Sequence, residues 1–202
     1  MTLKPPSKHA ARSAATRAAL IAAARPLFGE RGYADVSTEE LAHAAGVTRG
    51  ALYHQFADKR ELFRAVVEDV EAGLIGRIGA RIAGADTTDP LGALADGAEV
   101  LIDAISLEPD IRRIVALDAP SVLGWEAWRE IGERHGLGLI DAAITGAIEQ
   151  GALPEQPVRP LAHLLLGALD EGAMYVALAD DVAGAREQTL TALRALLDAL
   201  RS

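Results

Sequence analysis

No cysteine occurs anywhere in this 202-residue sequence. That excludes a disulfide framework, a thiol nucleophile and any thiolate metal site. No uninterrupted apolar run approaches the about 18 residues that a membrane-spanning helix needs. The first residues, MTLKPPSKHAARSAATR, lack the apolar centre of a secretory signal, so a cytoplasmic protein is expected. Histidines number five, but no two share an H-x-x-x-H spacing, and no metal is expected. Ser121, a His and an Asp form a hydrolytic triad only on paper. There is no G-x-S-x-G elbow and no strand pattern to carry one. Phosphate-binding and dinucleotide glycine motifs are also absent, so no cofactor is expected. Half the residues are hydrophobic, enough for one large or two small domains with a real core.

The net charge of −9 is unevenly spread. Residues 1–60 carry nine Lys/Arg against five acids, and residues 61–202 carry eleven against twenty-four. The first part is therefore +4 and the second −13. A basic end can neutralise phosphates while an acidic body stays in solvent.

The chain is organised around Ser37–Phe56, STEELAHAAGVTRGALYHQF. Ser37 and Glu40 form an S-x-x-E capping box that starts a helix at Thr38. Thr48 caps a second helix. Gly46 lies between them, where a sharp turn favours a residue without Cβ. Leu41, Ala45, Val47, Leu52 and Phe56 face inward. Thr48, Arg49, Gly50, Tyr53 and His54 stay outside as a donor-rich face with one small gap. A helix that reads base edges in a major groove needs such a face. Before the motif, a helix over about residues 13–31 carries Pro26, where a kink is expected. After it, Asp58 and Glu61 cap a fourth helix. From residue 89 on every periodic segment is helical, with expected helices near 90–107, 109–118, 121–151, 157–180 and 183–201. The fold class is all-α.

Three blocks make the chain similar to a known family: L-F-x-E-R-G-Y (27–33), A-x-x-A-G-V-T-R-G-x-L-Y-x-x-F (42–56) and D-K-x-E-L (58–62). Over roughly residues 14–72 the sequence resembles the DNA-binding domain of the TetR family of transcriptional regulators. The resemblance implies a disordered basic arm (1–12), a helix-turn-helix domain (13–57) and a C-terminal regulatory and dimerisation bundle (58–202). It implies a homodimer that represses from a palindromic operator on double-stranded DNA and is released by a small apolar or amphipathic ligand. A DNA-binding regulator without such a ligand is the alternative, and an α-helical enzyme a distant third.

Residue roles follow from the same resemblance. Thr48, Arg49 and Gly50 meet base edges, with Arg49 suited to guanine and Gly50 leaving room for a thymine methyl. Thr38, Tyr53, His54 and Lys59 grip phosphates. The last two helices form a four-helix bundle with those of a partner through Leu161, Leu165, Ala168, Leu169, Gly172, Leu190, Leu193 and Leu197. The ligand pocket draws on Leu101, Ile105, Asp118, Trp125, Trp128, Asp170, Met174 and Tyr175, with His135 and His163 as further candidates. The segment LDAPSVLGWEAWREI (117–131) is similar to one near the pocket mouth in part of the family.

Overall fold

A computed structural model describes residues 8–84 and 88–201, and all regular elements among them are helical. The N-terminal head consists of α1 (Lys8–Arg31), α2 (Thr38–Ala44) and α3 (Arg49–Gln55). The body consists of α4 (Lys59–Ala83), α5 (Pro90–Leu107), a short α6 (Pro109–Ile111), a π-helical segment (Arg112–Asp118), α7 (Ala119–Leu123), α8 (Trp125–Glu149), α9 (Val158–Leu178) and α10 (Val182–Ala199).

The helix starts are those the caps dictate. Ser37 Oγ accepts from the Glu40 N–H at 3.2 Å, and Glu40 Oε2 accepts from the Ser37 N–H at 2.9 Å, so the box is closed in both directions. Hydrogen bonding from Arg31, then from the Ser37 N–H and hydroxyl, holds the Glu40 carboxyl down to about 2. A depressed acid stabilises above its unfolded pKa and loses that contribution only as pH falls through the folded one, so this cap survives mild acid. Thr48 Oγ1 accepts from Ala51 N at 3.2 Å. At α4, Asp58 accepts from Glu61 N at 2.7 Å. The Glu61 carboxylate takes the N–H of Ala57 at 2.6 Å rather than that of Asp58, so the expected second box closes one residue early.

Three expectations are corrected here. Residues 8–12, assigned to a disordered arm, are helical and begin α1, while the first seven residues of that arm lie outside the described residues. As expected, α1 runs on past Pro26 to Arg31. The helix expected over 121–151 is broken at Gly124 (φ 83°), and Arg112–Asp118, within the helix expected over 109–118, is π-helical rather than α.

Leu20, Ala24, Phe28, Leu41, Leu52, Phe56, Leu62 and Phe63 seal the head. The same apolar core runs on without interruption through α4 into Ile102, Ile105, Ile114 and Trp128 of the body. A second cluster, including Leu91, Leu137, Ile144 and Leu165, fills the far end. Helix α9 is apolar enough on average to cross a membrane by length and composition, with a mean hydropathy of 1.3, although Arg159, His163, Asp170 and Glu171 interrupt its apolar residues. Its Ala162, Leu165, Leu166, Ala173 and Val176 are buried against neighbouring helices.

Close contacts bolt the head to the body, and a further set fixes the start of α4 to α7. Gly29 lies so close to α6 that a Cβ there would sit 2.5 Å from the Cβ of Asp110, and Arg25 pairs with Asp110 at 3.0 Å. The Tyr33 N–H donates to Asp118 Oδ2 at 2.8 Å. Arg60 donates to the carbonyls of Val122 (3.0 Å) and Leu123 (2.6 Å).

Candidate nucleic-acid interface and ligand cavity

Helix α3 is held by its buried side and offers the other to solvent. Leu52 and the following Phe56 are buried. Arg17 of α1 stacks its guanidinium over the Phe56 ring at 4.2 Å and donates to the Gln55 carbonyl at 3.3 Å. Ser13 and Gln55 are hydrogen-bonded to each other through their side chains. With its C-terminal end fixed, α3 presents Thr48, Arg49, Gly50, Tyr53 and His54, all exposed. Arg49 is ion-paired with Glu39 of α2 and lies over the Tyr53 ring at 5.5 Å. The Tyr53 and Thr38 hydroxyls are 3.4 Å apart. Three of the expected contact residues, Thr38, Arg49 and Tyr53, therefore gather in one small cluster across α2 and α3, along with Glu39, which the sequence reading did not single out. An exposed ion pair of this kind is worth only about 0–1 kcal/mol, so a phosphate or a guanine can displace Glu39. A Cβ on Gly50 would have nothing nearer than Thr48 Oγ1 at 3.9 Å. No contact inside the chain requires a glycine there.

Lys59 differs from its expected role. Its Nζ donates to the carbonyls of Tyr33 (2.8 Å) and Val36 (2.9 Å) and lies 4.2 Å from the centre of the Tyr33 ring. Two of its three N–H groups thus tie the α1–α2 loop to the start of α4 instead of pointing toward a phosphate. Hydrogen bonds to a charged group contribute about 1.5–3 kcal/mol each when buried, and less here because Lys59 is half-buried. Lys59→Met is expected to destabilise the chain by about 2 kcal/mol in urea unfolding. An unchanged midpoint would return Lys59 to the phosphate role.

The body encloses a cavity of about 80 Å³ between α4, α5, the π-helical segment, α8 and α9. A buried water needs about 10–15 Å³ on this measure, so there is room for several waters or a small apolar body. Aliphatic side chains dominate the walls, among them Leu74, Ile75 and Ile78 of α4 and Leu139 and Ile140 of α8. Of the expected pocket residues, Leu101, Ile105, Trp128, Asp170 and Met174 line it. Trp128 is held in place by its Nε1–H, which donates to the Val115 carbonyl at 3.2 Å.

Three pocket assignments are corrected. Asp118 faces the head and holds Tyr33 N. Trp125 is 63% exposed, tilted against Trp128 with ring centres 5.2 Å apart. Tyr175 is exposed and reaches Gln188 of α10 at 3.4 Å. Nor do His135 and His163 line the cavity, His163 standing 3.4 Å from Glu133.

The sequence reading missed Glu71 and Arg129, which meet Asp170 at one end of the cavity. Arg129 lies 3.5 Å from Asp170 and 3.3 Å from Glu133. Desolvation, helped by the nearby Asp170, pushes the Glu71 carboxyl up to about 7. Desolvation likewise raises Asp170, to about 6, against the pull of Arg129. The only sequence signal for Glu71 is an acid within the apolar stripe of α4.

The expected dimer residues also separate. Leu165, Leu190, Leu193 and Leu197 are buried within their own chain. Gly172 serves the α9–α10 crossing, where a Cβ would come within 2.9 Å of Thr189 Cγ2. Leu169 lines the cavity, while Leu161 and Ala168 are half-buried. The large apolar side chains left in solvent on these helices are Leu164, Tyr175 and Leu178 of α9 and Leu196 of α10.

A capped helix pair with an exposed donor face, joined to an all-helical body around an apolar cavity, defines a helix-turn-helix DNA-binding regulator. The chain belongs to the TetR family: residues 20–66 match the bacterial regulatory proteins of that family, and residues 92–200 match the tetracyclin repressor-like C-terminal domain. A TetR-family transcriptional regulator from Pectobacterium atrosepticum, known by crystal structure, superposes with a TM-score of 0.83 at 37% identity, covering 94% of this chain and 96% of that one. The Transposon Tn10 TetC protein of Escherichia coli is 26% identical over 186 residues, 92% of each chain. The regulator TtgR of Pseudomonas putida is 28% identical over 145 residues, 69% of each chain. The protein is thus a DNA-binding transcriptional regulator.

Proposed function

We propose that two copies of the chain repress from a palindromic operator and leave it when a small molecule fills the cavity. The observation that carries this reading is the double use of the π-helical segment. Val115 and Ala116 face the cavity, while Arg113 and Asp118 from the same turns abut Gly32 and Tyr33 of the head. A ligand that pushes on Val115 or Ala116 must also shift Asp118, and with it the head. The ligand displaces the equilibrium by the difference in its affinity for the two positions. An open cavity supports this reading over a regulator without a ligand, whose bundle core would be filled by side chains.

Leu164, Ala168, Tyr175 and Leu178 recur at helical spacing along one side of α9, and with Leu196 they form the proposed dimer face. Two heads related by a two-fold axis would read half-sites roughly 34–36 Å, or a multiple, apart. In this reading Thr48, Arg49 and Gly50 meet base edges, and Thr38, Tyr53 and His54 meet the backbone. As a DNA-bound regulator the protein works in the cytoplasm, beside the chromosome.

The test is selection of bound duplexes from a random pool, with Arg49→Ala in parallel. Wild type is expected to yield a palindromic consensus. Arg49→Ala is expected to lose about 1–3 kcal/mol and to relax one symmetric pair of positions. Binding that only tracks salt, with no enriched sequence, would overturn the reading.

A further inference from the structure

The polar end of the cavity carries more charge of one sign than its packing explains. Glu71 projects from the cavity-facing side of α4, and among the described residues it has no hydrogen bond and no ion pair. Opposite stand Asp170 of α9 and Arg129 of α8. Arg129 is already shared between Asp170 at 3.5 Å and Glu133 at 3.3 Å. Two carboxyl groups therefore share one guanidinium, and Glu71 adds a third acid near Asp170. An unpartnered carboxyl in an apolar wall is costly unless something compensates it, and no side chain of the described residues does so.

We propose that the effector is a lipophilic organic cation, an ammonium head on an apolar body, with the head seated between Glu71 and Asp170 and the body along Leu101, Ile105 and Met174. This rests on the reading of the cavity as the effector site and adds the charge of its ligand. An anionic ligand would meet an excess of carboxyl groups, its only counter-charge, Arg129, being already paired twice. A neutral ligand would leave Glu71 without a charge partner.

The proton balance follows. Because burial raises Glu71 to about 7, the free protein carries it partly protonated near neutral pH. A bound ammonium draws it to the carboxylate, and the proton goes to solvent. Asp170 on α9 is the charged group that acts on it; Arg129 and Glu133 on α8 act in turn on Asp170, and His163 stands beside Glu133. Because binding favours the deprotonated form, affinity is expected to rise with pH between 6 and 8.

The experiment uses the full chain and three probes of equal length: octylammonium, 1-octanol and octanoate. Binding is read by calorimetry and by Trp fluorescence, which Trp128 in the cavity wall reports. Octylammonium is expected to bind at least about tenfold more tightly than either other probe. Near neutral pH it is expected to release protons to the buffer, read from the buffer dependence of the heat. In Glu71→Gln the preference over 1-octanol should fall to about twofold, while 1-octanol binding persists as evidence of a folded cavity. Asp170→Asn provides a second reading should Glu71→Gln not fold. Octanoate as the tightest probe, failure of octylammonium to bind, or an unchanged preference in both variants would overturn the proposal. An operator-binding assay with the same probe separates the two readings. Octylammonium that binds through Glu71 yet leaves DNA affinity unchanged refutes ligand-gated repression but keeps the cation site.

Discussion

Phe28→Ala is expected to cost about 3–5 kcal/mol, the range for removing a large ring from a packed core. Phe28 has no exposed surface. Its ring meets Phe63 of α4 edge-on, with centres 5.1 Å apart, and lies 6.0 Å from that of Tyr33, which itself contacts Phe63 at 5.1 Å. The three rings join α1, the loop after it and α4, so the loss falls on all three at once. A whole domain is stable by only about 5–15 kcal/mol. The head should therefore open locally while the body, with its own second core cluster, stays folded. Hydrogen exchange checks this: protection should collapse in α1–α3 and persist around Ile140 and Ile144. Operator affinity should fall with it. Uniform loss of protection along the chain would mean that the head and body unfold as one unit.

Gly29→Ala sets two opposed effects against each other. Replacing glycine with alanine in a helix gains up to about 1 kcal/mol. The added Cβ, however, would lie 2.5 Å from Asp110 Cβ and 3.0 Å from its Cα. The Asp110 backbone cannot swing aside as the end of a flexible side chain could, because Pro109 precedes it in the first turn of α6. Overpacking of this kind costs about 1–3 kcal/mol, so the net effect should be destabilising. The Arg25–Asp110 pair should be lost with it, a minor contribution at these exposures. The functional effect is expected to be larger than the thermodynamic one, because α6 leads directly into the π-helical segment that couples cavity and head. Thermal melts should show a lowered midpoint, and ligand should change operator affinity less than in wild type. A raised midpoint would mean that α6 accommodates the methyl group, and that the head and body are less tightly apposed.

The sequence by itself determined whatever depends on residues a few positions apart. The caps at Ser37, Thr48 and Asp58, the turn at Gly46 and the starts at Pro90 and Pro109 rest on local hydrogen bonds and backbone preferences, and the helices begin there. The exposed face of α3 was legible for the same reason: on a seven-residue helix, fixing Leu52 and Phe56 inward leaves few positions for the rest. What only the tertiary structure decided involves partners distant in sequence. Apolar periodicity marked Leu190, Leu193 and Leu197 as one stripe but could not say whether their own chain or a second copy covers it. The chain itself does. Lys59 was read as a free cation because its acceptors lie 23 and 26 residues upstream. Asp118, Trp125 and Tyr175 lie close in sequence to true cavity residues yet point elsewhere, since a helix turns about 100° per residue and a neighbour in sequence is rarely a neighbour on the same face. Glu71 offered only the local signal of an acid within an apolar stripe. Its carboxyl is made unusual by α8 and α9, which bring Arg129 and Asp170 across and shut out water, and that desolvation exists only once the bundle has closed.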